Sequence, residues 1–178
     1  SNGNVTIEGS FATYTPNTDF NGDDSFIFSV SDGELNATAQ VTLSIEAVND
    51  APVLATVSDV SFDEDGSGSV SLSADDVDGD ALEYAVSGGS SITADLDVDT
   101  ITFTAPADYN GSEQFTVSVT DGEYIASQVI TVVVNAVNDP PVLASIGDRV
   151  IDEDGVLSLL LSASDIEGDQ LTYSISEG

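Results

Sequence analysis

Three short acidic motifs occur twice in this chain, in the same order and at the same spacing. The first copies are residues 49–50, 63–66 and 76–80, and the second copies are residues 138–139, 152–155 and 165–169. Two carboxylates 4 Å apart repel each other by about 4 kcal/mol at an effective dielectric constant of 20. Acids that cluster in the folded chain therefore need a shared cation.

Calcium is the cation that this ligand chemistry favours. It accepts six to eight oxygens from carboxylates, amides and backbone carbonyls without strict geometry, whereas magnesium requires a tight octahedron. The segment from Asp76 to Asp80 resembles the start of an EF-hand loop, but Ser87 stands where the closing glutamate would be and strands are expected on both sides. A solvated turn is the alternative for this motif alone, and the recurrence of all three motifs favours calcium.

The composition restricts the function further. The chain has 33 acidic residues against the single base Arg149, a net charge of −32, which argues against partners that are nucleic acids or anionic membranes. Apolar residues make up 40% of the chain and alternate at strand spacing, so it should fold rather than remain a disordered acidic tail. Because histidine and cysteine are absent and no nucleophile–base pair is visible, we expect no enzyme activity.

The elements that position these acids form a tandem array. The chain falls into register with itself, without a gap, at the offset of 89 residues that separates Asn49 from Asn138. A period of this size is a domain length, so each unit should fold around its own core. In the complete unit we predict seven strands, near residues 57–62, 69–74, 81–86, 91–95, 100–104, 113–120 and 126–135. The predicted fold class is therefore all-β, with tandem seven-stranded Greek-key β-sandwiches.

Short proline-containing linkers at residues 47–52 and 136–141 mark the boundaries. We expect residues 1–48 to be the C-terminal half of one repeat, residues 49–137 a complete repeat, and residues 138–178 the N-terminal half of the next. Each half would leave part of a sandwich core exposed. The expected partners are therefore other copies of the chain, joined head to tail through their complementary halves. The alternatives are a different boundary phase or frayed, disordered ends.

The ordered set of motifs carries a resemblance to known families. The linker Asn-Asp-x-Pro-Val, the acidic motifs and the aliphatic-x-Tyr strand at Leu82 and Tyr84 resemble the cadherin repeat and its bacterial cadherin-like relatives. Residues 14–33, with Tyr-Thr-Pro, Phe-Asn-Gly and Phe-x-Phe-x-Val-x-Asp-Gly, are similar to the tandem immunoglobulin-like repeats of large bacterial surface adhesins. The cadherin resemblance implies calcium between successive domains.

The same resemblance implies a ligand set at each junction. At the first junction the matching residues are Asp19, Glu46, Asn49, Asp50, Asp76 and Asp78, and at the second they are Glu64, Asp108, Asn135, Asn138, Asp139, Asp165 and Glu167. Asn110 stands where a second acid is expected, and Glu167 replaces an aspartate. We therefore expect fewer ions per junction than in cadherins.

The resulting expectation is a calcium-rigidified extender of a secreted bacterial surface adhesin. The alternative is a carbohydrate- or protein-binding module of a secreted multidomain enzyme, in which Phe11, Tyr109 and Tyr124 would line a sugar-binding surface.

Overall fold

A computed structural model of the chain describes residues 2–176, and every regular element in that range is a β-strand. The predicted all-β class is thereby confirmed, while the Greek-key connectivity stays a prediction. Within the described range, no helix has the length and apolarity that crossing a membrane would require.

Fifteen strands follow one another within residues 2–176. The first four are β1 (Gly3–Glu8), β2 (Phe11–Pro16), β3 (Gly22–Ser31) and β4 (Asn36–Ile45). The next nine are β5 (Val53–Leu54), β6 (Val60–Asp63), β7 (Ser67–Ser71), β8 (Ala74–Asp75), β9 (Glu83–Gly88), β10 (Thr93–Asp97), β11 (Thr100–Thr104), β12 (Gly111–Thr120) and β13 (Ile125–Asn135). The last two are β14 (Val142–Leu143) and β15 (Ala163–Ser164).

Seven strands of the complete repeat lie at the predicted places, with boundaries shifted by a few residues. They form a four-stranded sheet in the order β6-β13-β12-β9 and a three-stranded sheet in the order β10-β11-β7. The sequence analysis missed β5 and β8, a two-residue antiparallel pair that is too short to show alternation. Within the four-stranded sheet, β6 pairs in parallel with β13, and Phe62 lies opposite Val134.

Contacts between Cα atoms divide the chain into two compact units. One contains the residues up to 56 with 72–85 and 117–128, and the other contains 57–71, 86–116 and the residues from 129 onward. The division runs through the complete repeat. The repeat boundaries expected from the sequence therefore stay predictions.

Most of the buried apolar side chains of the described residues lie in the second unit. Phe103 of β11 packs edge-to-face on Phe115 of β12, with ring centroids 5.0 Å apart. Both side chains are almost completely buried. This contact joins the three-stranded sheet to the four-stranded one. Aromatic pairs in this geometry stabilise a fold by about 0.5–1.5 kcal/mol in addition to the stabilisation that comes from burying their apolar surface.

Glu113 of β12 fastens a loop to the same core. Its carboxylate accepts hydrogen bonds from the backbone N–H groups of Ser90, Ser91 and Ile92 and from the Ser90 hydroxyl. Burial from solvent acts to raise the pKa of Glu113, but these hydrogen bonds outweigh it and lower the pKa from 4.5 to about 2. The charged carboxylate thus accepts hydrogen bonds from backbone N–H groups of this loop that have no partner in a neighbouring strand.

In the first unit, β1 pairs with β2 and β3 pairs with β4, each as a two-stranded antiparallel sheet. The β3–β4 hairpin turns at Asp32 and Gly33. Gly33 has a φ of 100°, a conformation that residues with a side chain rarely adopt. Asp32 accepts hydrogen bonds from the backbone N–H groups of Glu34 and Leu35, which lower the pKa of its carboxyl group. Tyr14 stacks on Phe26 at 6.2 Å.

Candidate metal centre

Three carboxylates converge after the last strand of the complete repeat. Asp65, Asp108 and Asp139 each present an oxygen, and these oxygens all lie within 4.8 Å of one another. Asp65 and Asp108 are exposed and Asp139 is partly buried. They come from the turn after β6, the loop before β12 and the linker after β13. Segments that are far apart in the chain therefore supply one compact set of oxygen ligands.

Backbone geometry holds two of these acids in place. Asp65 has a φ of 61° and Asp108 a φ of 57°, in the left-handed region that aspartate tolerates better than most side chains. The backbone N–H of Asp108 donates a 3.2 Å hydrogen bond to a carboxylate oxygen of Asp65. Asp19, which is 89 residues before Asp108, has a φ of 59°, so the same local conformation occurs in the preceding repeat.

Glu64 connects the complete repeat to the linker that follows it. Its side chain is 6% exposed and accepts a short hydrogen bond from the backbone N–H of Val137. The backbone N–H of Glu64 donates to the carbonyl of Asn135 at 2.9 Å, which extends the parallel β6–β13 ladder by one bond. The chain therefore enters the linker along a fixed path.

The environment of Asp139 is strongly negative. Partial desolvation is the largest effect that raises the pKa of its carboxyl group, followed by the charges of Asp108, Asp65, Glu64 and Asp165. The backbone N–H of Asp139 donates to the carboxylate of Glu167 at 3.3 Å. A cation bound among these acids would offset the mutual repulsion of their charges.

A second cluster lies in the loop after β8. Carboxylate oxygens of Asp76, Asp78 and Asp80 lie within 4.8 Å of one another. Oδ1 of Asp76 accepts from the backbone N–H groups of Asp78, Gly79 and Asp80 at 2.9, 3.1 and 3.3 Å. Oδ2 of Asp76 is buried and has no hydrogen-bond partner. A buried carboxylate oxygen without a donor is costly unless a cation or proton accompanies it.

The acids of the first linker lie around one pocket. This pocket has a volume of about 210 Å³, and its lining includes Asp19, Glu46, Asp50 and Asp78. The backbone N–H of Asp50 donates to Asp78 at 2.8 Å, as that of Asp139 does to Glu167 in the second linker. The two linkers therefore use the same contact at equivalent positions.

The predicted amide ligands have other partners. Asn49 donates to the carboxylate of Asp121 at 3.0 Å, and Asn138 donates to the carbonyl of Asp139 at 3.0 Å. The side chain of Asn135 donates to Asp63 at 3.1 Å and to Ser61 at 3.2 Å. Their oxygens remain predicted ligands.

The predicted set of the second junction contains Asp108 and Asp139 but not Asp65, and the predicted set of the first junction contains Asp76 and Asp78 but not Asp80. Asp65 and Asp80 belong to motifs that the sequence analysis had singled out by their recurrence. Within Asp-Glu-Asp-Gly the family resemblance pointed only to Glu64, and the left-handed φ that turns Asp65 toward the cluster cannot be read from residue types.

Comparisons with known proteins agree with this architecture. A family model described as a bacterial Ig domain matches residues 1–44 and 49–134. The chain is similar to chitinase A of Pseudoalteromonas piscicida, with 34% identity over 147 residues, which are 80% of this chain and 18% of chitinase A. The chain thus spans less than a fifth of that relative's length.

Two solved structures are also similar in part. The endo-fucoidan hydrolase MfFcnA4 of glycoside hydrolase family 107 has a TM-score of 0.38 and 16% identity, over 83% of this chain and 24% of that chain. The endo-fucoidan hydrolase MfFcnA9 of the same family has a TM-score of 0.35 and 16% identity, over 74% of this chain and 26% of that chain. Likenesses this weak carry no argument about function.

Proposed function

The chain belongs to the bacterial Ig domain family, and on that premise we propose that its repeats are non-catalytic extender modules of a secreted bacterial surface protein, stiffened by Ca²⁺ at their joints. The observation that carries this proposal is the convergence of Asp65, Asp108 and Asp139. Two of these acids belong to the body of the repeat and the third to the linker, so a shared ion would tie the linker to the repeat.

The ligand chemistry supports calcium over other cations. The cluster offers carboxylate oxygens, and the chain has neither histidine nor cysteine, the usual ligands of zinc. The buried oxygen of Asp76, which has no hydrogen-bond partner, supports a second cation site in the loop after β8. Calcium modules that work outside cells typically have dissociation constants of about 10⁻⁴ to 10⁻³ M.

The mechanism is electrostatic. Without an ion, Asp139 is repelled by Asp65 and Asp108, and the hydrogen bond from Val137 to Glu64 holds the linker against that repulsion. With an ion, the repulsion becomes attraction to a common charge. The linker then loses freedom to bend, and a string of repeats becomes a stiff spacer between the ends of its parent protein.

Titration of the chain with CaCl₂ in a calorimeter, combined with small-angle X-ray scattering, tests this proposal. Calcium should bind in the submillimolar to millimolar range and increase the maximum dimension of the particle, and EDTA should reverse the increase. Asp108→Asn should weaken binding by about tenfold or more, because it removes one of three charges; tenfold corresponds to about 1.4 kcal/mol. Asp97→Asn, which changes an exposed acid of β10, is the matched control.

Two results would reject the proposal. One is calcium binding that Asp108→Asn and Asp97→Asn weaken equally, because the affinity would then come from diffuse negative charge. The other is a scattering curve that is the same in calcium and in EDTA, because the joint would then not depend on the ion.

The second candidate is an accessory module of a secreted polysaccharide-degrading enzyme. It is supported by the sequence similarity to a segment of chitinase A. Of the three aromatic candidates, Tyr109 donates its hydroxyl to Glu113 at 3.3 Å and Phe11 borders an apolar pocket with Tyr14 and Phe26. Tyr124 is substantially exposed, so a Tyr124→Ala variant that loses retention on chitin beads would favour this candidate, and the absence of any retention would oppose it.

A further inference from the structure

An asparagine followed by a glycine occurs at the same place in both repeats. The pairs at residues 21–22 and 110–111 are 89 residues apart, and each glycine is the first residue of a long strand, β3 or β12. Asparagine is a thermolabile residue, and glycine, which has no Cβ, lets its backbone nitrogen approach neighbouring groups closely. An Asn-Gly pair is therefore a place where the chain can react with itself.

The backbone conformation requires a glycine at both places. Gly22 has a φ of 111° and Gly111 a φ of 153°, values that residues with a side chain rarely adopt. A Cβ at Gly111 would also come within 3.0 Å of the hydroxyl oxygen of Tyr109. The residue that makes each asparagine reactive is thus fixed by the fold.

The side-chain amides of these two asparagines are unrestrained. Asn21 and Asn110 are exposed, and neither side chain makes a hydrogen bond within residues 2–176. Other asparagine amides are held in place, since that of Asn49 donates to Asp121 and that of Asn138 donates to the carbonyl of Asp139. An unrestrained side chain can rotate until its amide carbon meets the backbone nitrogen of the next residue.

We propose that Asn21 and Asn110 are sites of spontaneous deamidation, at which the chain converts an amide into a carboxylate with water as the only co-reactant. The backbone nitrogen of the following glycine gives its proton to hydroxide and attacks Cγ of the asparagine. A C–N bond forms, the Cγ–Nδ2 bond breaks, and ammonia leaves with a proton from water, which restores the hydroxide. The product of this step is a cyclic succinimide.

Hydrolysis opens the succinimide in two ways. Water that adds at Cγ breaks the new C–N bond and leaves aspartate in an unchanged backbone. Water that adds at the backbone carbonyl carbon breaks the original peptide bond and leaves isoaspartate, in which the chain continues through the side chain. Both products carry a carboxylate in place of the amide, so each site gains one negative charge.

Both sites lie beside the acidic clusters of the linkers. Asn21 lines the pocket of the first linker together with Asp19, Asp50 and Asp78. Asn110 is two residues after Asp108, so their Cα atoms are at most about 7 Å apart. This distance is shorter than the Debye length of about 8 Å at physiological ionic strength. The new carboxylates would therefore act on a cation bound at either cluster.

The consequence for calcium rests on the proposed function. One more negative charge at about 7 Å from a divalent ion should tighten its binding by about fivefold, even with the dielectric constant of water. A module that remains outside the cell for a long time would accumulate these charges. Its joints would then bind calcium more tightly as the protein ages.

Mass spectrometry of the full chain after incubation in EDTA tests the reaction without any dependence on calcium. Chymotrypsin, which cleaves after aromatic residues, should release the matched peptides 21–26 and 110–115, each with one asparagine. Each peptide should gain the mass difference between an amide and an acid and separate into aspartate and isoaspartate forms. The rate should increase with pH, because hydroxide removes the proton from the glycine nitrogen.

The same digest contains internal controls. The amides of Asn49 and Asn138 are held and no glycine follows either residue, so both should remain unmodified. In the variant Asn110→Gln the amide is kept, but its attack would have to form a larger ring, so peptide 110–115 should keep its mass. A synthetic peptide of residues 106–116 gives the rate of an unstructured chain.

Two results of the mass measurement would overturn the proposal. One is an unchanged mass at residues 21 and 110 over a time in which the synthetic peptide converts. The other is conversion of Asn49 and Asn138 at the same rate as Asn21 and Asn110, because the reaction would then not be specific to these sites.

Calorimetric titration of Asn21→Asp tests the consequence for calcium. This variant carries the aspartate product and should bind calcium about fivefold more tightly than the unaltered chain. Asn36→Asp is the matched control, since it adds the same charge at the far end of β4, about 30 Å along the strand from Ile45 of the pocket. Equal affinities of the two variants would overturn the link to calcium. Absence of binding by the unaltered chain would reject the proposed function, and the mass measurement would still decide the modification.

Discussion

The backbone N–H of Asp108 donates a hydrogen bond to the carboxylate of Asp65 at 3.2 Å, so one acid of the cluster is oriented by the main chain of another. Both residues also have left-handed φ values, which fix where their side chains start. The spacing of the two charges is therefore built into the loops before any ion binds. A ligand set of this kind loses little conformational entropy on binding.

Removing one charge while keeping this hydrogen bond separates the two roles of Asp65. Asp65→Asn retains a side-chain oxygen that can accept from Asp108, so the free energy of unfolding in EDTA should change by less than about 0.5 kcal/mol. Calcium affinity should fall by about tenfold or more, because one of the three clustered carboxylates loses its charge. Calorimetric titration and chemical unfolding measure the two quantities, with Asp95→Asn as the control. Equal calcium affinity in both variants would contradict the assignment.

Glu64 allows charge and hydrogen bonding to be tested at one position. Glu64→Ala leaves the backbone N–H of Val137 without its acceptor and should lower the free energy of unfolding by about 1–3 kcal/mol. Glu64→Gln keeps an acceptor oxygen and should cost less than half as much. Amide hydrogen exchange at Val137 is the direct measurement, and it should accelerate in the alanine variant only. Similar exchange in both variants would show that the contact does not hold the linker.

Asp139 should destabilise the folded protein in EDTA and stabilise it in calcium. Its pKa is raised by partial desolvation and by the charges of Asp108, Asp65, Glu64 and Asp165, so its ionised form is disfavoured in the folded protein without metal. Asp139→Asn should therefore raise the melting temperature in EDTA and lower it in saturating calcium. Thermal unfolding by circular dichroism in both buffers gives the comparison. A variant that is less stable in both buffers would show that the ionised form of Asp139 is not disfavoured in the folded protein without metal.

The lowered pKa of Glu113 should make the folded protein less stable in acid. Its folded pKa is lowered to about 2 from 4.5, so its contribution to stability is complete above pH 4.5 and is lost as the pH falls from 4.5 toward 2. Glu113→Gln should remove this part of the pH dependence and cost about 1–3 kcal/mol at neutral pH, because several N–H donors lose a charged acceptor. Urea unfolding at a series of pH values tests it. Glu83→Gln, at an exposed position of β9, is the matched control for the loss of one carboxylate.

Two glycines with similar backbone conformation should respond differently to alanine. Gly89 has a φ of 72°, and a Cβ there would come within 2.5 Å of the Ile92 carbonyl oxygen and of the Phe115 ring. Gly122 has a φ of 101° and nothing within 4 Å. Gly122→Ala should cost about 1–2 kcal/mol from backbone strain alone, and Gly89→Ala about 3 kcal/mol or more because a clash is added. Chemical unfolding compares them, and equal costs would mean that the loop shifts to accommodate the methyl group.

The strands could be predicted from the sequence, whereas the ligand set stays a prediction. Alternation is a local property, so the buried faces of β12 and β13, with residues such as Phe115, Val117 and Ile130, could be found from two aligned copies. The β5–β8 pair could not be found, because two residues cannot alternate. The position of Asp65 beside Asp108 and Asp139 could not be found for another reason: which of several consecutive acids points toward the other two depends on a left-handed backbone conformation.

The resemblance to a family and the recurrence of motifs supplied different parts of the site. Asp108 and Asp139 were assigned by resemblance, and they do lie together. Asn135 was assigned in the same way; its amide group contacts Asp63 and Ser61, and its place in the ligand set stays a prediction. Which atoms a side chain contacts is decided by its neighbours in space, and those cannot be read from spacing alone.

The parallel pairing of β6 with β13 has a mechanical consequence. These strands lie near the two ends of one repeat, and tension applied through the linkers would pull β6 backward and β13 forward along a common axis. The pairs from Val60 opposite Val132 to Asp63 opposite Asn135 would then be loaded in shear and would have to break together. A tether made of such units would resist stretching up to a threshold force and then extend abruptly, one repeat at a time.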